Sequence, residues 1–434
     1  MNKFSSKVGV ILSAVGSAVG MANVWGFPYK FQEGGLIFLI AYVLFIGLFS
    51  HVGLVSEFAI GRMTRSGALG AYDYSFKKAG KNSTIGKYIG YIPMLALFAI
   101  SVGYSIIVAY VLKALIDSVT GLLFNVDPGV WFDGFSMEPY SVMLLHFIVI
   151  VIAILTCFGG ASTIEKSNKI MMPAFFILFV ILAIRIATLD NAGAGYRYMF
   201  RLDMDKLNLN TIVAAMGQAF FSLSITGSTL VVFGAYISKD MDIVDSSKKT
   251  GMLDTTAALI ASCVMIPALT VFGMDQVGGP GLLFVALPTI FQNIRLGRIF
   301  SVILYLAVIL AGISSLQSMF EAVTGSLILR FPKLSRKKTL ISLALIAFLL
   351  GVNMETIDRF GRYMDIVSIY IIPIGASIGA FTWFYILGKD ELLGEVNIGS
   401  TEKIGNSWHK VGKYIYVPLA IILTLLALIF KISF

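Results

Sequence analysis

The chain has 434 residues, 57% of them hydrophobic and only 13% charged, with 33 Lys and Arg against 24 Asp and Glu for a net charge of +9. Soluble domains carry about 25% charged residues, so this composition excludes a soluble enzyme or nucleic-acid-binding domain and describes a polytopic membrane protein. Cys157 and Cys263 lie in separate apolar segments and offer no disulfide framework, and His51, His146 and His409 share no metal-ligand spacing.

Stretches of about 20 apolar residues suffice to cross a bilayer. They read at 8–31, 36–61, 88–121, 140–160, 168–189, 210–237, 251–274, 299–329, 338–353, 363–388 and 414–433, which predicts eleven transmembrane helices. The first runs past the length of a signal-peptide core and has no convincing cleavage site, so no leader is expected. Within it, VGVILSAVGSAVGMANVWGFPYKF carries four glycines, two serines, Asn23 and Pro28. The second ends in EFAIGR, and the third carries Ile100 and Tyr104. The sixth is interrupted by SLSITGS, the seventh carries Asp254, and the eighth contains AGISS. Between the seventh and eighth, GGPGLLFVALPTIF is compact enough for a helical hairpin.

With the amino terminus on the cytoplasmic side, the inside loops and that terminus hold 22 of the 33 basic residues. This is the positive-inside pattern. The expected location is therefore the inner (plasma) membrane, multi-pass, with the carboxyl terminus outside. The basic residues are spread over short loops and form no nucleic-acid surface. No G-x-x-x-x-G-K-[ST] occurs, so no ATP site is expected.

The broken first and sixth segments carry the functional signal. Unwinding a helix in lipid strands backbone N–H and C=O groups, each costing several kcal/mol unless satisfied. Freed carbonyls can coordinate Na⁺, and half-helix amino-terminal ends offer N–H groups and positive dipole to a carboxylate. Paired interruptions five spans apart point to the binding site of an inverted-repeat transporter. Gly16 and Gly20 alone would read as a GxxxG packing pair; Asn23, Pro28 and the second break favour ion binding. Asp254 is an intramembrane acid, functional by default, unless it pairs with Lys248 or Lys249. Ser314 and Ser315 would otherwise bond to their own i−4 carbonyls. A channel would need a continuous, usually symmetric pore. An enzyme would need paired acids or a Ser–His or Cys–His set, and His51 and His146 have no evident partner.

The motifs GSAVGMANVWGFPY, EFAIGR (Glu57 to Arg62), MPAFFILFVILAIRIATL, GPGLLFVALP and AGISS resemble those of the neurotransmitter:sodium symporter family, from about residue 5 to 388. The resemblance implies one all-α domain over 1–434, a five-plus-five inverted repeat (8–189 and 210–388) with helices 1 and 6 unwound mid-membrane, and an extra helix at 414–433. It implies sodium-coupled symport of a small molecule by a monomer or loose dimer. The alternative is a non-transporting amino-acid sensor on the same fold.

Two sodium sites are implied. One comprises the Gly16, Val19 and Ala311 carbonyls with the Ser314 and Ser315 hydroxyls. The other comprises the Ala18 carbonyl, Asn23, Ser222 and Asp254, completed by the substrate carboxylate. Relatives that bind chloride do so through a tyrosine, a glutamine and two serines. Here Tyr42, Gln218 and Ser222 are kept, but Ala258 replaces the last serine, so the Asp254 carboxylate is expected to replace chloride.

Implied substrate contacts are Ser17, Ala18, Met21, Ala22, Ile100, Tyr104, Phe221, Ser222, Ser224, Gly227, Ser315 and Met319, with Tyr104 and the Met21 and Ala22 amides on the carboxylate. Relatives carrying monoamines have an aspartate where this chain has Gly20, so the resemblance implies an α-amino acid. Gly227 replaces a larger residue and is expected to admit a large apolar or aromatic side chain. At the outer gate Asp365 matches the family acid, but the arginine position is Gly26, and Lys30 lies one turn beyond. The inner-gate arginine is also missing, with Lys3 nearby, and the matching acid position near 328–330 reads Ile-Leu-Arg. Glu57 is expected to be a structural support and Phe221 a lid.

Overall fold

In the computed structural model, which describes residues 3–274 and 278–431, the apolar segments are helical and no strand occurs among the described residues. The helices are α1 (Lys7–Ala18), α2 (Ala22–Thr64), α3 (Ala68–Lys78), α4 (Ser83–Thr120), α5 (Pro128–Ser136), α6 (Met143–Cys157), α7 (Ala161–Ala187) and α8 (Ala192–Phe200). They continue as α9 (Leu209–Ser222), α10 (Thr229–Tyr236), α11 (Ile243–Phe272), α12 (Gly279–Gln292), α13 (Gly297–Arg330), α14 (Arg336–Gly351), α15 (Ile357–Ile386), α16 (Lys389–Val396) and α17 (Asn406–Phe430). Among the described residues eight helices are long and apolar enough to cross a membrane, and α1, α6 and α12 are shorter apolar helices.

The first expected span is broken, as its composition implies. Ser6 caps α1 by accepting the Gly9 N–H, and the helix ends where Val19 turns extended, at φ −73° and ψ 117°. Helix then resumes at Met21 and runs into the second span, bent at Gly35. The sixth span is likewise two pieces, α9 of 14 residues and α10 of 8, each too short to cross alone.

The expected outer hairpin is instead a single helix, α12, over the described residues; 275–277 of that stretch lie outside them. Pro288 does not break it. A proline removes one N–H and clashes with the preceding turn, but a widened π turn at Leu282–Ala286 lies just upstream and accommodates it.

α13 runs through the middle of the bundle, packed on α1, α4, α6, α7 and α10. α2 and α10 touch backbone to backbone. A Cβ on Gly61 would lie 1.9 Å from the Val231 oxygen, and one on Gly234 would lie 2.5 Å from that of Phe58. Small residues permit this approach. Arg62, at the end of EFAIGR, is fully buried. Its guanidinium donates to Glu395 Oε1 at 2.7 Å and to the carbonyls of Met241, Glu395 and Ile398, tying α2 to α16. Asp242 caps α11. Burial pushes its carboxyl up, but hydrogen bonds from Thr401 and the Val244 and Asp245 amides hold it below the ordinary carboxylate range.

Candidate functional site

The two helix breaks face each other. Ser224 Oγ donates to the Ser17 carbonyl at 2.8 Å and so joins them. The loop between α9 and α10 turns through two positive-φ residues, Ser224 at 53° and Gly227 at 73°. Glu57 Oε1 accepts the Gly227 N–H at 2.7 Å and Tyr72 donates to the Gly227 carbonyl at 3.2 Å, so buried side chains replace the lost helical bonds. Glu57 is placed as a support, as the sequence reading has it.

Around the break in α1, one cluster forms on Asp254, which is fully buried. Asn23 Nδ2 donates to its Oδ1 at 2.8 Å, Ser222 Oγ lies 2.9 Å from both oxygens, and the Tyr42 hydroxyl donates to Oδ2 at 3.1 Å. Asn23 Oδ1 accepts the Gly20 N–H at 3.0 Å, anchoring the cluster to the unwound turn. Among the described residues Asp254 forms no ion pair with Lys248 or Lys249, and Lys249 pairs with Asp245 at 2.9 Å. Three helices therefore bring an anion, an amide and two hydroxyls together.

The other cluster is uncharged. Ser315 Oγ donates to the Val19 carbonyl at 3.0 Å and the Gly16 carbonyl at 3.3 Å, and Ser314 Oγ donates to Ala311 O at 2.9 Å. All five residues named for this site come together, and all are buried.

Between the clusters lies an apolar cavity. Ser17, Ala18, Met21, Ala22, Ile100, Tyr104, Phe221, Ser224, Ser315 and Met319 line it. The Tyr104 hydroxyl accepts the Met21 N–H at 3.1 Å, at the start of the second half of the broken helix. Two expectations are corrected. Ser222 is drawn to Asp254 and is absent from the lining. Gly227 is also absent from it; its missing side chain points at Tyr72 Oη, 2.5 Å from an added Cβ, so it opens no room for substrate. The positive φ turns it toward the scaffold. Lining residues that sequence reasoning missed include Leu97, Thr226, Ile372 and Leu423, ordinary apolar or small positions with no local signal.

The gates differ from the family pattern. Lys30 Nζ donates to Gln218 Oε1 at 3.0 Å, while Gln218 Nε2 donates to the Ala22 carbonyl. Asp365 is exposed at the end of the first turns of α15. At the other end, Glu165 of α7 accepts from the Ser5 N–H and from the Ser5 and Ser6 hydroxyls at 2.6 to 2.7 Å, and pairs with Lys169. Phe4 is buried beside Phe233 and Tyr236. The chain is thus fastened there by serines and a phenylalanine.

His146 does have partners. Its Nε2 lies 2.8 Å from Ser105 Oγ and its Nδ1 2.9 Å from Glu355 Oε1, all three fully or nearly fully buried. Ser105 also donates to the Val102 carbonyl, and none of the three lines the central cavity. The set ties α4, α6 and the connection between α14 and α15 together. Glu355 lies 209 residues from His146, beyond any local pattern.

The family model described as the sodium:neurotransmitter symporter family matches residues 1–133 and 133–433. The chain is 30% identical to YhdH, an uncharacterized sodium-dependent transporter of Bacillus subtilis (strain 168), over 100% of its own length and 98% of the relative. It is 29% identical to the sodium-dependent transporter MJ1319 of Methanocaldococcus jannaschii, over 93% of this chain and 86% of that one. The crystal structure of MhsT in complex with L-phenylalanine superposes with a TM-score of 0.86 at 30% identity, covering 98% of this chain and 100% of that chain. Broken helices flanked by oxygen clusters and a match along the whole chain agree: the protein belongs to the sodium:neurotransmitter symporter family, and it is a sodium-dependent symporter with a LeuT-like fold.

Proposed function

We propose that the chain carries an α-amino acid with a large apolar or aromatic side chain, coupled to two sodium ions and independent of chloride. It works by alternating access across the inner membrane, with its amino terminus in the cytoplasm. The observation that carries this reading is the pairing of Tyr104 with the Met21 amide at a helix start. A hydroxyl, a backbone N–H and the positive end of a helix dipole together suit a carboxylate. Gly20 keeps that place open, since a Cβ there would lie 2.4 Å from Tyr104 Oη. A side-chain acid at this position, as a monoamine carrier would need, would displace the Tyr104 and Ser315 hydroxyls. The amine would meet the carbonyls of residues 18, 221 and 224, and the apolar wall of Ile100, Phe221 and Met319 would take the side chain. The protein in the MhsT structure was solved with L-phenylalanine, a ligand of this kind.

Asp254 supports chloride independence. The hydroxyls of Tyr42 and Ser222, which would face an anion, are spent on its carboxylate, and the buried Ala258 supplies no further donor. The repeat boundaries 8–189 and 210–388 fit the placement of the two breaks. Each sodium ion crossing 100 mV gains about 2.3 kcal/mol, and a tenfold gradient adds about 1.4 kcal/mol. Two ions supply roughly 7 kcal/mol, enough for about 10⁵-fold accumulation. The test is sodium-driven uptake in proteoliposomes with each of the twenty amino acids as competitor. Large apolar and aromatic amino acids should compete, and replacing chloride by gluconate should change nothing. Competition by amines lacking a carboxylate would overturn the substrate class, and absence of concentrative uptake would favour a sensor.

A further inference from the structure

Asn168 lies on α7, one turn beyond Glu165, and is fully buried. Its Nδ2 donates to the Ile164 carbonyl at 3.0 Å. That bond fixes which way the amide faces, because a flip would set two oxygens against each other. Oδ1 therefore points away from α7, and it has no hydrogen-bond partner among the described residues. It is aimed at the end of α1: a Cβ on Gly16 would lie 2.2 Å from Asn168 Oδ1 and 3.2 Å from Ser314 Cβ. Gly16 and Ser314 both belong to the uncharged oxygen cluster.

A buried carbonyl oxygen with no donor is costly to hold. Nothing in its surroundings repays that cost except a group absent from the polypeptide. A hard cation takes neutral oxygen ligands readily. The cluster it faces is built from carbonyls and hydroxyls alone. We propose that Asn168 Oδ1 is a further oxygen ligand of the cation held by Gly16, Val19, Ala311, Ser314 and Ser315. This rests on that cluster being a sodium site. It makes α7 a ligand-bearing helix and places that ligand between the cation and Glu165, which fastens the amino terminus.

The test is equilibrium binding of radiolabelled Na⁺ to the purified full-length protein, with folding checked by gel filtration. Asn168→Ala should weaken one of two sodium sites by about tenfold, and the Ser314→Ala/Ser315→Ala variant should weaken the same site. Asn168→Asp should keep sodium binding and gain affinity as pH rises and the new carboxyl ionises, which a packing role would not produce. Wild-type affinity in Asn168→Ala, alongside impaired binding in the serine variant, overturns the role of Asn168 and leaves the cluster standing. Undiminished binding in the serine variant overturns the cluster and the proposal with it. If Asn168→Ala does not fold, Asn168→Asp decides: affinity independent of pH overturns the proposal.

Discussion

The unwound turn of α1 is flanked by two oxygen clusters built on opposite plans. Around Asp254 a carboxyl group is buried, and Asn23, Ser222 and Tyr42 direct donors at it. Around Ser315 there is no charge at all, only carbonyls and hydroxyls bonded to one another. A buried carboxylate without a cation depends wholly on its donors. The hydroxyls of the neutral cluster are spent on its own carbonyls and must trade those hydrogen bonds for ion–dipole contacts when it fills, with only the facing Asn168 Oδ1 left without a donor. The charged cluster should therefore hold its ion tightly, adjacent to the substrate carboxylate. The neutral one should release its ion more readily, toward the end fastened by Glu165.

The largest expected effect comes from erasing the difference. Asp254→Asn keeps one oxygen but removes the charge, and disrupting a buried charged network costs about 3–5 kcal/mol. Sodium-driven uptake should fall by at least about 100-fold. Adding Ala258→Ser should restore part of it only with chloride present, measured against gluconate. Uptake in Asp254→Asn equal to wild type would show that charge does not distinguish the two clusters. Ser314→Ala with Ser315→Ala comes next. Two hydroxyl ligands at roughly 0.5–1.5 kcal/mol each or more should abolish sodium stimulation in the working range, while circular dichroism stays unchanged. Retained sodium dependence would show that the neutral cluster holds no coupling ion.

Tyr104→Phe sharpens the comparison from between the clusters. It removes one hydroxyl and should lower substrate affinity by about 1.5–3 kcal/mol, the range for a bond to a charged group. Sodium binding without substrate should not change. Glu165→Gln should give the smallest effect. It keeps an acceptor for Ser5 and Ser6 but loses the charge and the Lys169 pair, worth about 1 kcal/mol. A fluorophore on Lys3→Cys should report release of the amino terminus about fivefold more often, with the Asp254 cluster unaffected. An unchanged signal would separate the amino-terminal fastening from Glu165.

What sequence makes visible here is chemical oddity. Glycine, serine and asparagine in an apolar run mark both breaks, and an acid in span seven marks Asp254. Ser315, the four residues around it and most of the cavity are named through the family resemblance that the motifs at those breaks carry. What sequence hides is direction and distance. Gly227 is named as a pocket residue because relatives carry a larger residue there, yet a φ of 73° turns it toward Tyr72. Asn168 and Glu165 sit one turn apart on an apolar helix, bonded within it to Ile164 and Lys169, and only packing against the start of the chain brings Ser5 and Ser6 to Glu165 and Gly16 to Asn168. Lys30 meets Gln218, 188 residues away, and Arg62 meets Glu395, 333 residues away. No local pattern encodes such pairs.

Gly61 and Gly234 leave no cushion of side chains between α2 and α10. With a rise of about 1.5 Å per residue, sliding either helix by a single residue drives one backbone into the other, so the pair behaves as one stiff beam. Mechanical play in the sixth span must then collect in residues 223–228, where Ser224 and Gly227 hold left-handed backbone between two rigid pieces. The half of the span below that joint swings with α2 and cannot swing alone. A cross-link joining α2 to α10 should leave transport running, whereas one bridging α9 to α10 across the joint should stop it.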